Sequence, residues 1–136
     1  MTSSERSKAR PMRLLLDTHT LLWVFDGSAR LSPAAAQAVA DGRNEIYVSA
    51  VTAWEIAIKS SLGKLRVRGD YERGLEEYRF RELQISTRHA LAVRDLPPHH
   101  RDPFDRLLVA QAKLEGLTMV TRDERFGEYD VDYIQA

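Results

Sequence analysis

Met12-Arg-Leu-Leu-Leu-Asp17-Thr-His-Thr20 is the stretch that decides the fold, because a short apolar run ends abruptly in a carboxylate and two hydroxyl-bearing residues. Leu14 to Leu16 predict a strand buried on both faces, since the run is too short for a membrane span and polar residues bound it. Asp17 then stands at the carboxyl end of that strand, where the loops of an open parallel sheet form a ligand crevice. An aspartate here also fits the N-cap of a helix through Leu21 and Phe25, so Asp17 alone does not decide between the two roles.

The composition is that of a globular protein. The chain has 136 residues, 43% hydrophobic and 29% charged, and no apolar run approaches the roughly 20 residues that a membrane-spanning helix needs. The absence of cysteine excludes disulfides and thiolate metal sites, and leaves oxygen or imidazole donors for any metal. Twenty basic residues balance twenty acidic ones, so a nucleic-acid contact requires a local basic patch. We therefore expect a soluble protein of the reducing cytoplasm, with no membrane contact.

Strand and helix signals alternate along the chain. Residues 1–11 are polar and basic without periodicity, which predicts a disordered leader followed by a single domain over residues 12–136, with Met12 as an alternative start. Strands are predicted at residues 14–16, 45–49, 83–85, 117–120 and 131–134, and helices at residues 18–26, 33–40, 50–62, 71–80, 87–93 and 103–115. The alternation predicts an α/β fold, a three-layer α/β/α sandwich around a mostly parallel sheet of four to five strands.

Glu55 falls inside a predicted apolar helix face. Apolar residues recur on that face with spacings of three, four and four, the buried stripe of an amphipathic helix: Val51, Trp54, Ile58 and Leu62. Glu55 shares this stripe, whereas Lys59 is predicted to lie outside it. Because a buried carboxylate needs a cationic partner or a functional reason, we expect either an internal salt bridge or a metal or catalytic role for Glu55.

The segment His99-His-Arg-Asp102-Pro-Phe-Asp105-Arg106 is the densest charged stretch, and it opens an apolar helix. Asp102 before a proline is typical of an N-cap followed by proline at the first helical position. Asp105 stands at the third position and shares its face with apolar residues, so its carboxylate is predicted to point towards the edge of the core. We interpret His99 and His100 as surface or RNA-contacting groups, because the chain offers no matching histidine at metal-ligand spacing.

Asp123 repeats the arrangement seen at Asp17, because the strand predicted at residues 117–120 runs into Thr121-Arg-Asp123. A turn or a short helix cap before Phe126-Gly127 is the alternative interpretation. If Asp17, Glu55, Asp105 and Asp123 converge, two unit charges about 4 Å apart repel by roughly 4 kcal/mol at an effective dielectric of 20. Such a cluster favours a divalent cation, and carboxylate and water ligands suit Mg²⁺ or Mn²⁺. Metal-assisted hydrolysis of a phosphodiester is the chemistry that this site would support.

Four motifs in order resemble those of PIN-domain ribonucleases, specifically the VapC-type toxins. They are Leu14-Leu-Leu-Asp17-Thr-His-Thr-Leu-Leu-Trp23, Val51-Thr-Ala-Trp-Glu55-Ile-Ala-Ile-Lys59, Asp102-Pro-Phe-Asp105-Arg-Leu-Leu-Val-Ala-Gln111 and Val120-Thr-Arg-Asp123. The resemblance covers nearly everything from Met12 onward. It implies a PIN-like fold and an endoribonuclease toxin that depends on Mg²⁺ or Mn²⁺, is inhibited by a VapB-like antitoxin and forms a homodimer.

The resemblance also implies roles for individual residues. Asp17 and Asp105 would be the direct metal ligands, and Glu55 and Asp123 would complete the catalytic acidic quartet. Thr121 would orient water or phosphate, and Asp102 would be an auxiliary residue. Basic residues around the acidic site are the candidates for RNA binding, with a solvated surface as the competing interpretation of each. These candidates are Arg101, Arg106, Arg122, Lys59, Lys64, Arg66 and Arg68.

Two other functions fit parts of the sequence. A haloacid-dehalogenase-like phosphatase also uses an aspartate after its first strand with Mg²⁺, but it needs a second aspartate two residues later, where this chain has His19. A noncatalytic RNA- or antitoxin-binding module of the PIN-like class would carry a degenerate metal site. The four intact acids argue against that second alternative.

Overall fold

The computed structural model describes residues 10–67 and 69–136. Most of the predicted leader, residues 1–11, and the RNA-binding candidate Arg68 lie outside these ranges, so the division into a leader and a domain stays a prediction. Within the described ranges, no helix is both long enough and apolar enough to cross a membrane.

Five strands form one sheet in which every neighbouring pair is parallel. They are β1 (Arg13–Leu16), β2 (Glu45–Ser49), β3 (Arg81–Leu83), β4 (Thr118–Thr121) and β5 (Tyr133–Gln135). Their order across the sheet is β3-β2-β1-β4-β5, which places β1 at the centre. Leu15 of β1 stands opposite Tyr47 on one side and Met119 on the other. The predicted α/β class and sheet are confirmed.

The helices cover both faces of this sheet. They are α1 (Thr18–Asp26), α2 (Pro33–Ala40), α3 (Ala50–Ser61), α4 (Tyr71–Glu77), α5 (Thr87–Ala92) and α6 (Pro103–Glu115), with 3₁₀ turns at Val93–Asp95 and Glu124–Tyr129. The predicted N-caps Asp17, Ser32 and Asp102 each accept a hydrogen bond from a backbone N–H in the first turn. Gly27 and Gly116 end α1 and α6 at φ of 63° and 67°, in the left-handed region that glycine adopts without strain.

Alternation along β1 divides the core between the two faces, since successive side chains of a strand point in opposite directions. Leu14 and Leu16 pack with apolar residues of α1 and α2 on one face. Leu15 packs on the other face with residues of α6, with Val51 of α3 and with the second 3₁₀ turn. All three leucines are fully buried. The three-layer arrangement follows from this strand, which has no polar face.

Two strand predictions are displaced by one or two residues. The third strand is predicted at residues 83–85 but occupies Arg81–Leu83, and the fifth is predicted at residues 131–134 but occupies Tyr133–Gln135. Both strands lie at the edges of the sheet. Arg81 and Glu82 are exposed, so backbone pairing with β2 defines β3 and no run of apolar side chains marks it.

The predicted apolar stripe of α3 is also wrong in its rotation about the helix axis. Trp54 is 54% exposed and Leu62, the C-cap, is 61% exposed. The inward face carries Val51 and Ile56, with the polar residues Thr52 and Glu55 between them. A pattern that counts only apolar residues cannot find this face, because part of it is polar.

Candidate functional site

The sheet order places two carboxylates beside each other at its carboxyl edge. The chain leaves β1 towards β2 on one side, whereas β4 lies on the other side, and such a divergence opens a crevice at the carboxyl ends of the two strands. Asp17 directly follows β1, and its backbone N–H donates to the carbonyl of Val120 in β4 at 3.2 Å. Asp123 follows β4 by two residues. The helix α6 precedes β4 and runs antiparallel to it, so α6 begins at the carboxyl edge of the sheet. Asp105, in the first turn of α6, therefore lies at the same edge.

Asp17 is 7% exposed, and neighbouring groups hold both of its carboxylate oxygens. Oδ1 accepts from the backbone N–H of Thr20 at 2.9 Å, and Oδ2 accepts from the Thr121 hydroxyl at 2.6 Å. Burial raises the pKa of Asp17, and these hydrogen bonds oppose the rise only in part. The two interpretations of Asp17 are therefore compatible, since one oxygen caps α1 while the carboxylate lies in the crevice.

Glu55 is 4% exposed and is held from two sides. Its Oε1 accepts from the Thr18 hydroxyl at 2.6 Å, and its Oε2 pairs with the Lys59 ammonium one helical turn later. The prediction that Lys59 lies away from Glu55 is wrong, because a lysine at i+4 has a side chain long enough to reach back over the turn. The hydrogen bond to Glu55 raises the pKa of Lys59, and the charges of Asp102 and Asp105 add to the rise.

The negative charges of neighbouring acidic residues act on Asp105. Burial, which is the largest cause, and nearby negative charges together raise the pKa of Asp105 to about 8. Those charges belong to Asp102, Asp17, Glu55 and Asp123. The charges of the other three acids of the predicted quartet therefore act on Asp105, while the convergence of all four stays a prediction.

His100 contradicts its predicted surface position. It is 6% exposed, and its Nε2 lies 2.9 Å from Oδ2 of Asp123 and 3.0 Å from Oδ2 of Asp105. The backbone N–H of His100 donates to the hydroxyl of Tyr129 at 2.6 Å, which fixes the turn. His99 does remain at the surface, because adjacent residues point in different directions. The sequence could not reveal this difference, since two of the residues that contact His100, Asp123 and Tyr129, lie 23 and 29 positions away.

His100, Asp105 and Asp123 bring together three atoms of the kinds that can ligate a metal ion. One ligand atom from each lies within 4.8 Å of the other two, and this is the group of three that stands out among residues 10–67 and 69–136. Two carboxylates with an imidazole beside them fit a divalent cation chemically. Asp17 and Glu55 do not belong to this compact group, although their charges reach Asp105.

Asp123 has a further partner that no sequence pattern indicates. The Arg125 guanidinium donates to both carboxylate oxygens, at 3.0 and 2.9 Å, and the backbone N–H of Arg125 donates to Oδ1 at 3.0 Å. Partial burial would raise the pKa of Asp123, but the hydrogen bonds from Arg125 and His100 outweigh it and lower the pKa to about 2. Asp123 thus caps the second 3₁₀ turn, in agreement with the alternative interpretation, while it contacts His100 in the site.

Two of the predicted RNA-binding arginines are occupied elsewhere. Arg106 donates to the carbonyls of Pro97, Val93 and Leu96 at 2.9, 3.0 and 3.2 Å. Arg122 donates to carbonyls of Arg30 and Ala136, and its guanidinium lies 4.4 Å from the centre of the Trp23 ring. Both side chains hold loops and the chain end, which argues against the predicted contact with RNA. Arg101 and Lys64 are exposed, so their candidacy stands as a prediction.

We expect Arg106→Met to destabilise the fold without a specific effect on RNA. The variant keeps the apolar stem but leaves the loop carbonyls without their donor, which costs about 1–3 kcal/mol in the free energy of unfolding. Arg101→Met, at an exposed site in the same segment, should change that free energy by less than about 0.5 kcal/mol. Urea unfolding measures both. Unchanged stability of Arg106→Met together with weaker RNA binding would restore the original assignment.

The chain is similar to known proteins over most of its length. A family model described as "PIN domain" matches residues 14–132. Ribonuclease VapC22 of Mycobacterium tuberculosis is 30% identical over 115 residues, which cover 82% of this chain and 88% of that protein.

Among solved structures, VapBC2 from Rickettsia felis bound to a promoter DNA fragment matches with a TM-score of 0.67 and 16% identity, over 91% of this chain and 98% of that one. A toxin-antitoxin complex from Klebsiella pneumoniae matches with a TM-score of 0.60 and 20% identity, over 90% of this chain and 96% of that one. At these identities the two structures support the fold.

Proposed function

The chain belongs to the PIN domain family, and on that premise we propose that it is a ribonuclease toxin of a toxin-antitoxin pair, which hydrolyses RNA phosphodiesters with a divalent metal. The observation that carries the proposal is the position of Asp105. Its side chain lies in the first turn of α6 at the carboxyl edge of the sheet, and burial, followed by the charges of Asp102, Asp17, Glu55 and Asp123, raises its pKa to about 8. A noncatalytic protein has no need of such a repulsive arrangement.

The carboxylates of the site are the groups that would hold the metal. We propose Asp17 and Asp105 as direct ligands, with Glu55 and Asp123 completing the set, and Mg²⁺ or Mn²⁺ as the ion because carboxylate oxygens dominate the donors. When bound by these carboxylates, an ion of this class would supply Lewis-acid polarisation of the scissile phosphate and would lower the pKa of a water molecule.

The hydroxyl groups of the site orient the carboxylates. The Thr121 hydroxyl donates to Asp17 at 2.6 Å and accepts the backbone N–H of Asp123 at 3.0 Å, so it ties the ends of β1 and β4 together. We therefore propose Thr121 as a positioning residue. Thr18 has the same function towards Glu55. Fixed carboxylates reduce the reorganisation that metal binding requires.

Asp102 has an indirect auxiliary role in this proposal. It accepts the backbone N–H groups of Phe104 and Asp105 at 2.8 and 3.2 Å, and so it fixes the first turn of α6. Its charge also raises the pKa of Asp105, which adds to the preference of the site for a cation. The Lys59 ammonium pairs with Glu55 and so offsets part of the negative charge of the acidic residues.

We also propose two protein partners. The first is a VapB-like antitoxin, supported by the likeness to a ribonuclease of the VapC type and to solved toxin-antitoxin complexes. The second is another copy of this chain, since VapC-type toxins are implied to be homodimers. Light scattering of the purified chain, alone and with an antitoxin, tests both.

The decisive experiment is RNA cleavage as a function of metal. Purified protein is incubated with single-stranded, hairpin and duplex RNA and with single-stranded DNA, in Mg²⁺, in Mn²⁺ and in excess EDTA. We expect cleavage of at least one RNA that requires a divalent ion, is lost with EDTA and returns when the ion is restored. The activity should co-elute with the protein through a second column. Cleavage that EDTA leaves unchanged, or no cleavage of any RNA with either ion, would reject the function.

A further inference from the structure

His100 carries contacts that the proposed function does not use. Both of its ring nitrogens are engaged, and its ring packs near Phe126, with 5.9 Å between ring centres. Its Nε2 contacts both Asp105 and Asp123, whereas Arg125 contacts Asp123 from an exposed position. A buried imidazole between two carboxylates can be a third metal ligand, or it can be a hydrogen-bond donor that orients the other two.

The backbone of Asp102 decides between these roles. Its N–H donates to Nδ1 of His100 at 3.1 Å. Because a backbone N–H can only donate, Nδ1 must present a lone pair, and the ring proton is then on Nε2. A histidine that ligates a metal through Nε2 would instead carry its proton on Nδ1, where the N–H of Asp102 stands. The local backbone therefore holds His100 in the form that donates from Nε2.

Resting on the proposed function of this site, we propose that His100 is a positioning residue and not a metal ligand. Its Nε2–H points at Oδ2 of Asp123, 2.9 Å away, with Oδ2 of Asp105 at 3.0 Å. A donor shared between these two oxygens opposes the repulsion of the carboxylates. It also keeps the pair facing one another before a cation binds. The ring is held for this purpose by Asp102 behind it and by Tyr129 at its backbone.

Two substitutions separate this role from a merely structural one. In His100→Asn the amide oxygen can still accept the N–H of Asp102, but the shorter side chain no longer reaches the two carboxylates. In His100→Gln the longer amide keeps an N–H donor within reach of them. His99→Asn is the matched control, because His99 is the adjacent histidine and is half-exposed.

The first readout is the affinity for Mn²⁺, measured from the EPR signal of the free ion. We expect His100→Asn to weaken binding about 10- to 100-fold, the usual effect of losing a group that orients metal ligands. His100→Gln should recover most of that loss, and His99→Asn should bind like the wild type. Wild-type affinity in a folded His100→Asn would overturn the proposal.

The second readout uses the wild-type protein, so it holds even if a variant does not fold. The ¹⁵N shifts of the His100 ring should show an unprotonated Nδ1 both without metal and with Mg²⁺. Pulsed EPR of the Mn²⁺ form should show no directly bonded nitrogen. A proton that moves to Nδ1 with Mg²⁺, or a direct nitrogen coupling to Mn²⁺, would make His100 a ligand and overturn the proposal.

These outcomes are independent of RNA cleavage. Loss of Mn²⁺ affinity in His100→Asn with no cleavage of any RNA would reject the ribonuclease function but support the role of His100. Metal-dependent cleavage by the wild type, together with unchanged Mn²⁺ affinity in His100→Asn, would reject only the role of His100.

Discussion

Asp17→Asn is expected to reduce the rate of RNA cleavage by about 1,000-fold or more and to leave the protein folded. The substitution removes the negative charge that is proposed to hold the metal, and a 1,000-fold loss corresponds to about 4 kcal/mol of transition-state stabilisation. The side chain keeps its shape, and the amide oxygen can still accept the N–H of Thr20, which caps α1. Single-turnover cleavage with saturating Mn²⁺ measures the loss.

The stability of this variant separates chemistry from folding. Burial already raises the pKa of Asp17, so the fold disfavours its charge and should accept a neutral asparagine within about 1 kcal/mol of unfolding free energy. Asp95→Asn is the matched control, because the Asp95 carboxylate is exposed beside Arg94. This variant should cleave RNA like the wild type. Equal cleavage by Asp17→Asn and Asp95→Asn would mean that Asp17 only caps a helix.

Asp105→Asn is expected to stabilise the metal-free protein and to reduce the stabilisation that Mn²⁺ gives. Burial and the neighbouring carboxylates raise the pKa of Asp105 to about 8, so its charged form destabilises the native state. Removing that charge should add on the order of 2 kcal/mol to the free energy of unfolding at neutral pH, or roughly 5–10 °C in Tm. The wild type should gain stability with Mn²⁺, and the variant should gain much less.

The stability difference between Asp105→Asn and the wild type should depend on pH. Below pH 3.8, the ordinary pKa of an aspartate, Asp105 is protonated both folded and unfolded, so the variant should have no advantage there. Between pH 3.8 and about 8, Asp105 loses its proton more readily in the unfolded chain than in the folded one. The difference in unfolding free energy between Asp105→Asn and the wild type should therefore grow as the pH rises. Calorimetry across this range, in EDTA, measures it. A metal-free Asp105→Asn that is less stable than the wild type at neutral pH would show that the fold does not disfavour the charge of Asp105.

The parts of this molecule that depend on neighbouring residues could be predicted from the sequence. The β1 run and the caps at Asp17, Ser32 and Asp102 rest on signals within a few residues. The acids can be identified because Asp17 and Asp123 follow apolar strands and Asp105 shares an apolar helix face. The parallel sheet then brings their elements to one edge without any further information.

The remaining features depend on partners distant in sequence. His100 contacts Tyr129 and Asp123, which lie 29 and 23 positions later in the chain, and no local sequence pattern predicts either contact. Arg106 resembles a free cation beside an acidic motif, but loop carbonyls satisfy it in the folded chain. The predicted face of α3 is misplaced because Trp54 is apolar and exposed while Glu55 is charged and buried.

Diffraction from crystals grown with Mn²⁺, recorded for its anomalous signal, tests the central claim most directly, because it locates the ion itself. We predict an anomalous peak bounded by the carboxylates of Asp17, Glu55, Asp105 and Asp123, with His100 still donating to Asp105 or Asp123. An ion bound elsewhere, or a site that stays empty at saturating Mn²⁺ while Lys59 and Arg125 remain on Glu55 and Asp123, would contradict the account.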